Sequence, residues 1–199
     1  MARTKTEKLR RLATKRQVLK ARDAIELGIP RTYLPRLARQ GHFERIARGL
    51  YSSKNFSATE NTSLIEAAHQ VPKGVICLLS ALRFHNLTTQ APREVWVAIG
   101  HKAWAPRISL PLIRFARMSG PALHFGIREY RVSGVTLRVF NPAKTVADCF
   151  KFRNKIGLDV AIEALKEARR LRKASMDELW AAAKVCRVAR VIRPYLESL

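Results

Sequence analysis

The sequence predicts an α+β protein in two parts. A winged helix-turn-helix over residues 1–55 precedes a mixed α+β region over 56–199 that ends in a helical tail. Three observations predict it. Two short helical stretches, a turn, a third short helix and a basic hairpin follow one another within the first 55 residues. Short alternating or wholly apolar runs mixed with helical periodicity fill residues 59–150. Two helices, one opening on a capping box at Ser175 and Glu178, occupy the end.

The first part is justified residue by residue. Thr4 to about Ala13 reads as a helix with Leu9, Leu12 and Ala13 on one stripe and Lys8, Arg10 and Arg11 off it. A second short helix spans about Ala21 to Leu27, and Gly28 ends it as the residue after the cap. The stretch "GIPRTYLPRLARQG" then poses a conflict, because Pro30 and Pro35 lie too close to share a helix interior. The conflict disappears if Thr32 is the N-cap. Pro35 then falls in the first turn, where the backbone N–H has no intrahelical partner. The third helix runs to about Gln40 and stops at Gly41. Leu34, Leu37 and Ala38 face inward, while Arg36, Arg39 and Gln40 face out, with Arg31, Thr32 and Tyr33 at its mouth. Phe43–Ile46 and Leu50–Ser52 alternate as two strands around a tight turn at Gly49, with Arg48 at its tip. Residues 53–58 form a linker.

In the second part, "TENTSLIEAAHQV" is a helix capped near Thr59, and "GVICLLS" is a strand or a strand-to-helix junction. "SALRFHNL" is helical, and Arg93–Ile99 is a strand with a buried centre. Residues 100–125 resist assignment apart from a strand at "LIRFARM". "REYRVSGVTLRVF" is a hairpin turning at Ser133–Gly134, and Pro142 opens a helix. Leu158–Arg172 is amphipathic through Leu158, Ala161, Ile162, Leu165 and Ala168.

Charge is the strongest bulk signal. The 199 residues carry 38 Lys+Arg against 15 Asp+Glu, a net charge of +23. Residues 1–55 hold 15 of the cations and 4 of the carboxylates, net +11, which leaves +12 for the rest. Such an excess implies a polyanionic partner, and its concentration in a quarter of the chain implies a basic N-terminal module. In a helix-turn-helix context Arg31, Thr32, Tyr33, Arg36 and Arg39 are the candidates for groove contacts, and Arg45 and Arg48 for phosphate contacts by the wing. Tyr33 serves equally as core.

Catalysis and cofactors find no support. The histidines are scattered, the three cysteines are far apart without a CxxC, and no glycine-rich phosphate loop is present. Neither a metal nor a cofactor is expected. Asp148 with Glu163 and Lys166 faintly resembles a metal-nuclease triad, but Glu163 and Lys166 sit at ordinary ion-pair spacing on one helix. Trp96, Trp104 and Trp180 are expected as core or partial-interface residues rather than stacking platforms, although Trp104, in a loop flanked by Lys102 and Arg107, could stack on a base. The cysteines read as buried in a reducing compartment, and neither a signal peptide nor a membrane span is evident, so a cytoplasmic location is expected.

"LGIPRTYLPRLARQGHFERIARGLY" resembles the N-terminal module of the AbiEi-type antitoxins, which are transcriptional regulators of type IV toxin–antitoxin systems. The second region is similar to their companion domain at "SALRFHNLT" and "FNPAKTVADCFKFRNKIGLDVAIEALKEA". The resemblance implies that the first module binds inverted repeats in double-stranded DNA of its own promoter and represses the operon. It implies that the second domain neutralises a nucleotidyltransferase-type toxin, with or without stable contact. The basic second region departs from a simple acidic antitoxin. It leaves open a module binding RNA, such as the tRNA a toxin would modify, and an orphan DNA-binding regulator without a toxin.

Overall fold

The computed structural model describes residues 4–47, 49–53 and 61–198. The chain is mixed α+β, with eleven helices and two sheets among the described residues. Thr4 caps α1 (Lys5–Arg16) in a capping box with Glu7, and the helix ends three residues beyond the Ala13 that its apolar stripe suggested. A strand that the sequence reading lacked, β1 (Val18–Lys20), separates it from α2 (Ala21–Glu26). Three residues give no periodicity to detect, and β1 exists because β3 pairs with it. Gly28 follows α2 at φ +69°, as expected of a left-handed terminating glycine.

Next come α3 (Tyr33–Arg39), β2 (Phe43–Ala47) and β3 (Leu50–Ser53). The antiparallel order β1-β3-β2 completes a three-stranded sheet, consistent with a winged helix-turn-helix. Ser53 closes β3 rather than opening a linker; the rest of the proposed linker, and the expected cap at Thr59, lie outside the described residues. Leu9, Ala13, Leu19, Ala24, Leu34, Leu37, Phe43 and Tyr51 form the core beneath these elements.

The second sheet has the order β6-β5-β4-β8-β7. Its lead-in is α4 (Thr62–Gln70) and β4 (Val75–Ile76), followed directly by α5 (Leu78–Phe84), so "GVICLLS" is a strand-to-helix junction. β5 (Val95–Gly100) lies beside β4 and parallel to β6 (Ile113–Met118). α6 (Pro121–His124) leads into the hairpin β7 (Ile127–Val132) and β8 (Val135–Phe140), which turns at Ser133 and Gly134, both at positive φ. α7 (Pro142–Lys151) starts from an Asn141 cap. α8 (Arg153–Ile156), α9 (Leu158–Arg170), α10 (Met176–Cys186) and α11 (Ala189–Glu197) complete the chain. The Ser175–Glu178 capping box on α10 is present as read.

Both faces of this sheet are covered, which explains the unbroken apolar run of β5. Trp96 and Ala98 face a core shared with α7, α9 and α10. Val95, Val97 and Ile99 face the opposite core, shared with Leu64, Ile65 and Ala67 of α4. Val18 of β1 and Leu50 of β3 are buried in that second cluster. The three-stranded sheet therefore shares a core with the five-stranded one.

Candidate nucleic-acid interface

The N-terminal core fixes which side chains of α3 can face outward. Leu34 and Leu37 are buried, so helical geometry turns Arg36, Arg39 and Gln40 away from the core, and all three are exposed. Arg31 and Thr32 are exposed at the start of the helix. Pro35 takes the third helical position, where its missing N–H costs nothing. The proline conflict is resolved as expected, but Thr32 does not cap. Its backbone is already helical, at φ −67° and ψ −14°, and its side chain makes no cap hydrogen bond. A tight turn supports the start instead, with Tyr33 N–H donating to the Pro30 carbonyl at 3.0 Å. At the other end His42 N–H donates to Leu37 O at 2.9 Å around Gly41, at φ +75°.

Seven residues make a helix about 10 Å long, and an α-helix about 10–12 Å across with its side chains fits a major groove about 12 Å wide. No carboxylate stands on α3 to offset its arginines. Tyr33 is half-buried, and its hydroxyl lies 3.2 Å from Thr6 Oγ1 on α1. The Arg36 guanidinium lies 6.0 Å from the centre of its ring. Tyr33 thus supports the exposed face of α3 rather than standing clear of it. Arg45 is exposed on β2, beside exposed Glu44. Arg48 lies outside the described residues.

Sequence reasoning missed two contacts of this module. Arg10 of α1 sets its Nη2 2.9 Å from His42 Nδ1, which ties α1 to the end of α3. The β7–β8 turn docks on the end of α1. Val18 N–H donates to Ser133 O at 3.3 Å, and Ser133 Oγ donates to Gln17 Oε1 at 2.9 Å. Exposed Arg131 and Lys15 line the same surface cleft at this contact. A separation of 116 residues leaves no local signal for such a contact.

Residues 7–54 match the family model for the transcriptional regulator, AbiEi antitoxin. The matched segment runs from within α1 through β3, and it supports a regulator's role. The family is one of regulators and antitoxins, not of enzymes. No curated protein matched the chain. A fold likeness extends much further. The crystal structure of the RV2827C protein from Mycobacterium tuberculosis superposes with a TM-score of 0.55 at 12% identity, over 99% of this chain and 82% of that one.

The residues considered for catalysis have structural partners or lie buried. Asp148 is buried against Lys144. Glu163 accepts a hydrogen bond from Thr88 Oγ1 at 3.4 Å, and no ion pair joins it to Lys166 among the described residues. His85 is buried at the end of α5 with Nε2 2.7 Å from the Phe140 carbonyl oxygen, and burial holds its pKa below the usual histidine range. The three cysteines are free and buried, and burial pushes their thiols up. No group of three or more His, Cys, Asp or Glu is arranged to hold a metal among the described residues. Nor is any helix among them long and apolar enough to cross a membrane. Trp96 is buried and Trp180 partly so, whereas Trp104 is 80% exposed and therefore outside the core.

Proposed function

We propose that this protein is a cytoplasmic DNA-binding autorepressor and the antitoxin of a type IV toxin–antitoxin system. In this reading residues 1–55 are the DNA-binding domain and 56–199 the antitoxin domain, which neutralises a nucleotidyltransferase-type toxin. Arg31, Thr32, Arg36 and Arg39 read the major groove of inverted repeats in the protein's own promoter, with Tyr33 supporting them. Arg45 and Arg48 of the wing engage phosphates. The observation that carries the reading is the exposed arginine face of α3, whose opposite face is locked into the N-terminal core.

The deciding experiment is fluorescence anisotropy on the protein's own upstream DNA, beside a shuffled duplex, at two salt concentrations. Binding about a hundredfold tighter to the native sequence is expected of a repressor. Equal, steeply salt-dependent binding to both would remove the sequence-reading role.

A second reading rests on the second region. Its +12 excess, and exposed Trp104 beside exposed Lys102 and Arg107, favour RNA, such as a tRNA substrate of the toxin. Competition of tRNA against operator DNA distinguishes the two.

A further inference from the structure

A cleft of about 430 Å³ opens where the three-stranded sheet meets the five-stranded one. Its walls come from five separate places in the chain. Lys20 and Arg22 flank the start of α2, Gly49 lies at the wing turn, His69 on α4, Glu129 on β7 and Arg138 on β8. Two hydrogen bonds hold these walls in place. Ala21 N–H donates to Gly49 O at 2.9 Å, and Arg138 Nη1 donates to Lys73 O at 3.0 Å. The shared core under Val18 and Leu50 lies beneath the same junction.

The charges lining this cleft do not balance. Among the lining side chains Lys20, Arg22 and Arg138 stand against Glu129, a formal excess of +2 without His69. Lys20 is half-buried, and its ammonium has no hydrogen bond or ion pair among the described residues. Burial first, and Arg22 next, hold its pKa below the usual lysine range, against the pull of Asp23. Cations crowded in a partly desolvated place are relieved by an anion, and a phosphate dianion matches a +2 lining. Arginine offers phosphate a planar fork and lysine a point charge. Ala68 and Pro72 give the cleft an apolar side against which a flat ring can lie. The volume falls within the range of small-molecule sites, about 300–1,000 Å³.

We propose that this cleft binds a small phosphate-bearing molecule of mononucleotide size, between the wing turn and the five-stranded sheet. The same chemistry could be met by a backbone phosphate of bound DNA, and the test separates the two sources. Full-length protein is titrated calorimetrically with pyrophosphate, 5′-AMP and adenosine, and by anisotropy with duplex DNA. Saturable binding of pyrophosphate or 5′-AMP is expected, with adenosine at least about tenfold weaker. Lys20→Ala and Arg138→Gln should each weaken the phosphate ligands about tenfold, Lys20→Arg should largely restore them, and Lys166→Ala on α9 should change nothing. Thermal melts identify any variant that fails to fold, in which case the other variant carries the test. The proposal is overturned if neither phosphate ligand saturates, if adenosine binds as well as 5′-AMP, or if both variants weaken duplex binding alone. That last result would assign the cleft to the DNA face.

Discussion

Lys144 Nζ lies 2.5 Å from Asp148 Oδ2 one turn along α7, and solvent reaches neither side chain. The ammonium also lies 4.1 Å from the centre of the Phe140 ring and 3.9 Å from Met118 Sδ. Cys186 Sγ of α10 reaches the other carboxylate oxygen at 3.4 Å. Burial pushes the Asp148 carboxyl above the usual carboxylate range, against the pull of Lys144. The pair therefore joins α7, α10 and the sheet at one charged point inside an otherwise apolar core.

Removing one member should cost far more than removing both. Asp148→Ala leaves a buried ammonium without its partner, and a loss of about 3–5 kcal/mol is expected. Lys144→Met combined with Asp148→Leu should recover most of it, because the interior then holds only apolar groups. Denaturant midpoints at constant slope measure both. A cost below about 1 kcal/mol for the single variant would show that the pair contributes little beyond packing.

Stability should fall on mild acidification through His85. Its folded pKa lies below the ordinary value of 6.5, first because it is buried and then because Lys173 is near, with the bond to the Phe140 carbonyl opposing. The unfolded chain therefore takes up the proton at a higher pH than the folded chain does. The contribution is complete above about pH 6.5 and is lost as pH falls through the folded pKa. Unfolding free energies between about pH 7 and 5 should show this slope, and His85→Gln should flatten it. An unchanged slope in the variant would assign it to other groups.

The wing and the five-stranded sheet should unfold together. Leu50 is fully buried in the cluster that holds Leu64, Ile65 and Val135. Leu50→Ala should cost about 2–5 kcal/mol and shift one cooperative transition, rather than splitting it into two. Calorimetry distinguishes the outcomes. Deletion of residues 1–55 would uncover the same cluster, so neutralisation without DNA binding is better tested with arginine variants of the full chain.

Recognition and attraction should separate on α3 and β2. Arg36→Ala should weaken binding to the native operator by about 1–3 kcal/mol, and binding to shuffled DNA much less. Arg45→Ala should weaken both about equally and lower the salt slope by about one unit. Arg48→Ala is expected to behave like Arg45→Ala. Identical losses for Arg36→Ala on both duplexes would displace α3 as the reading helix.

The sequence by itself determined what local physics encodes. The 3.6-residue stripe on α3 required Arg36 and Arg39 to face away once Leu34 and Leu37 were buried. Glycines at 28 and 134 marked turns that need positive φ, and the Ser175–Glu178 spacing announced the start of α10. The apolar run around Val97 pointed to a strand covered on both faces. Tertiary structure alone decided the rest. β1 is three residues long and is defined only by its pairing with β3. Thr32 lost its capping role to a turn from Pro30, because the incoming chain already holds Thr32 in a helical conformation. Lys144 is buried only because α10 and the sheet close over α7. The basic cleft needs Lys20 and Arg138 brought together across 117 intervening residues. Local conformation depends on neighbours a few residues away, which the sequence lists in order. Burial and charge pairing depend on which surfaces meet, which only the folded chain specifies.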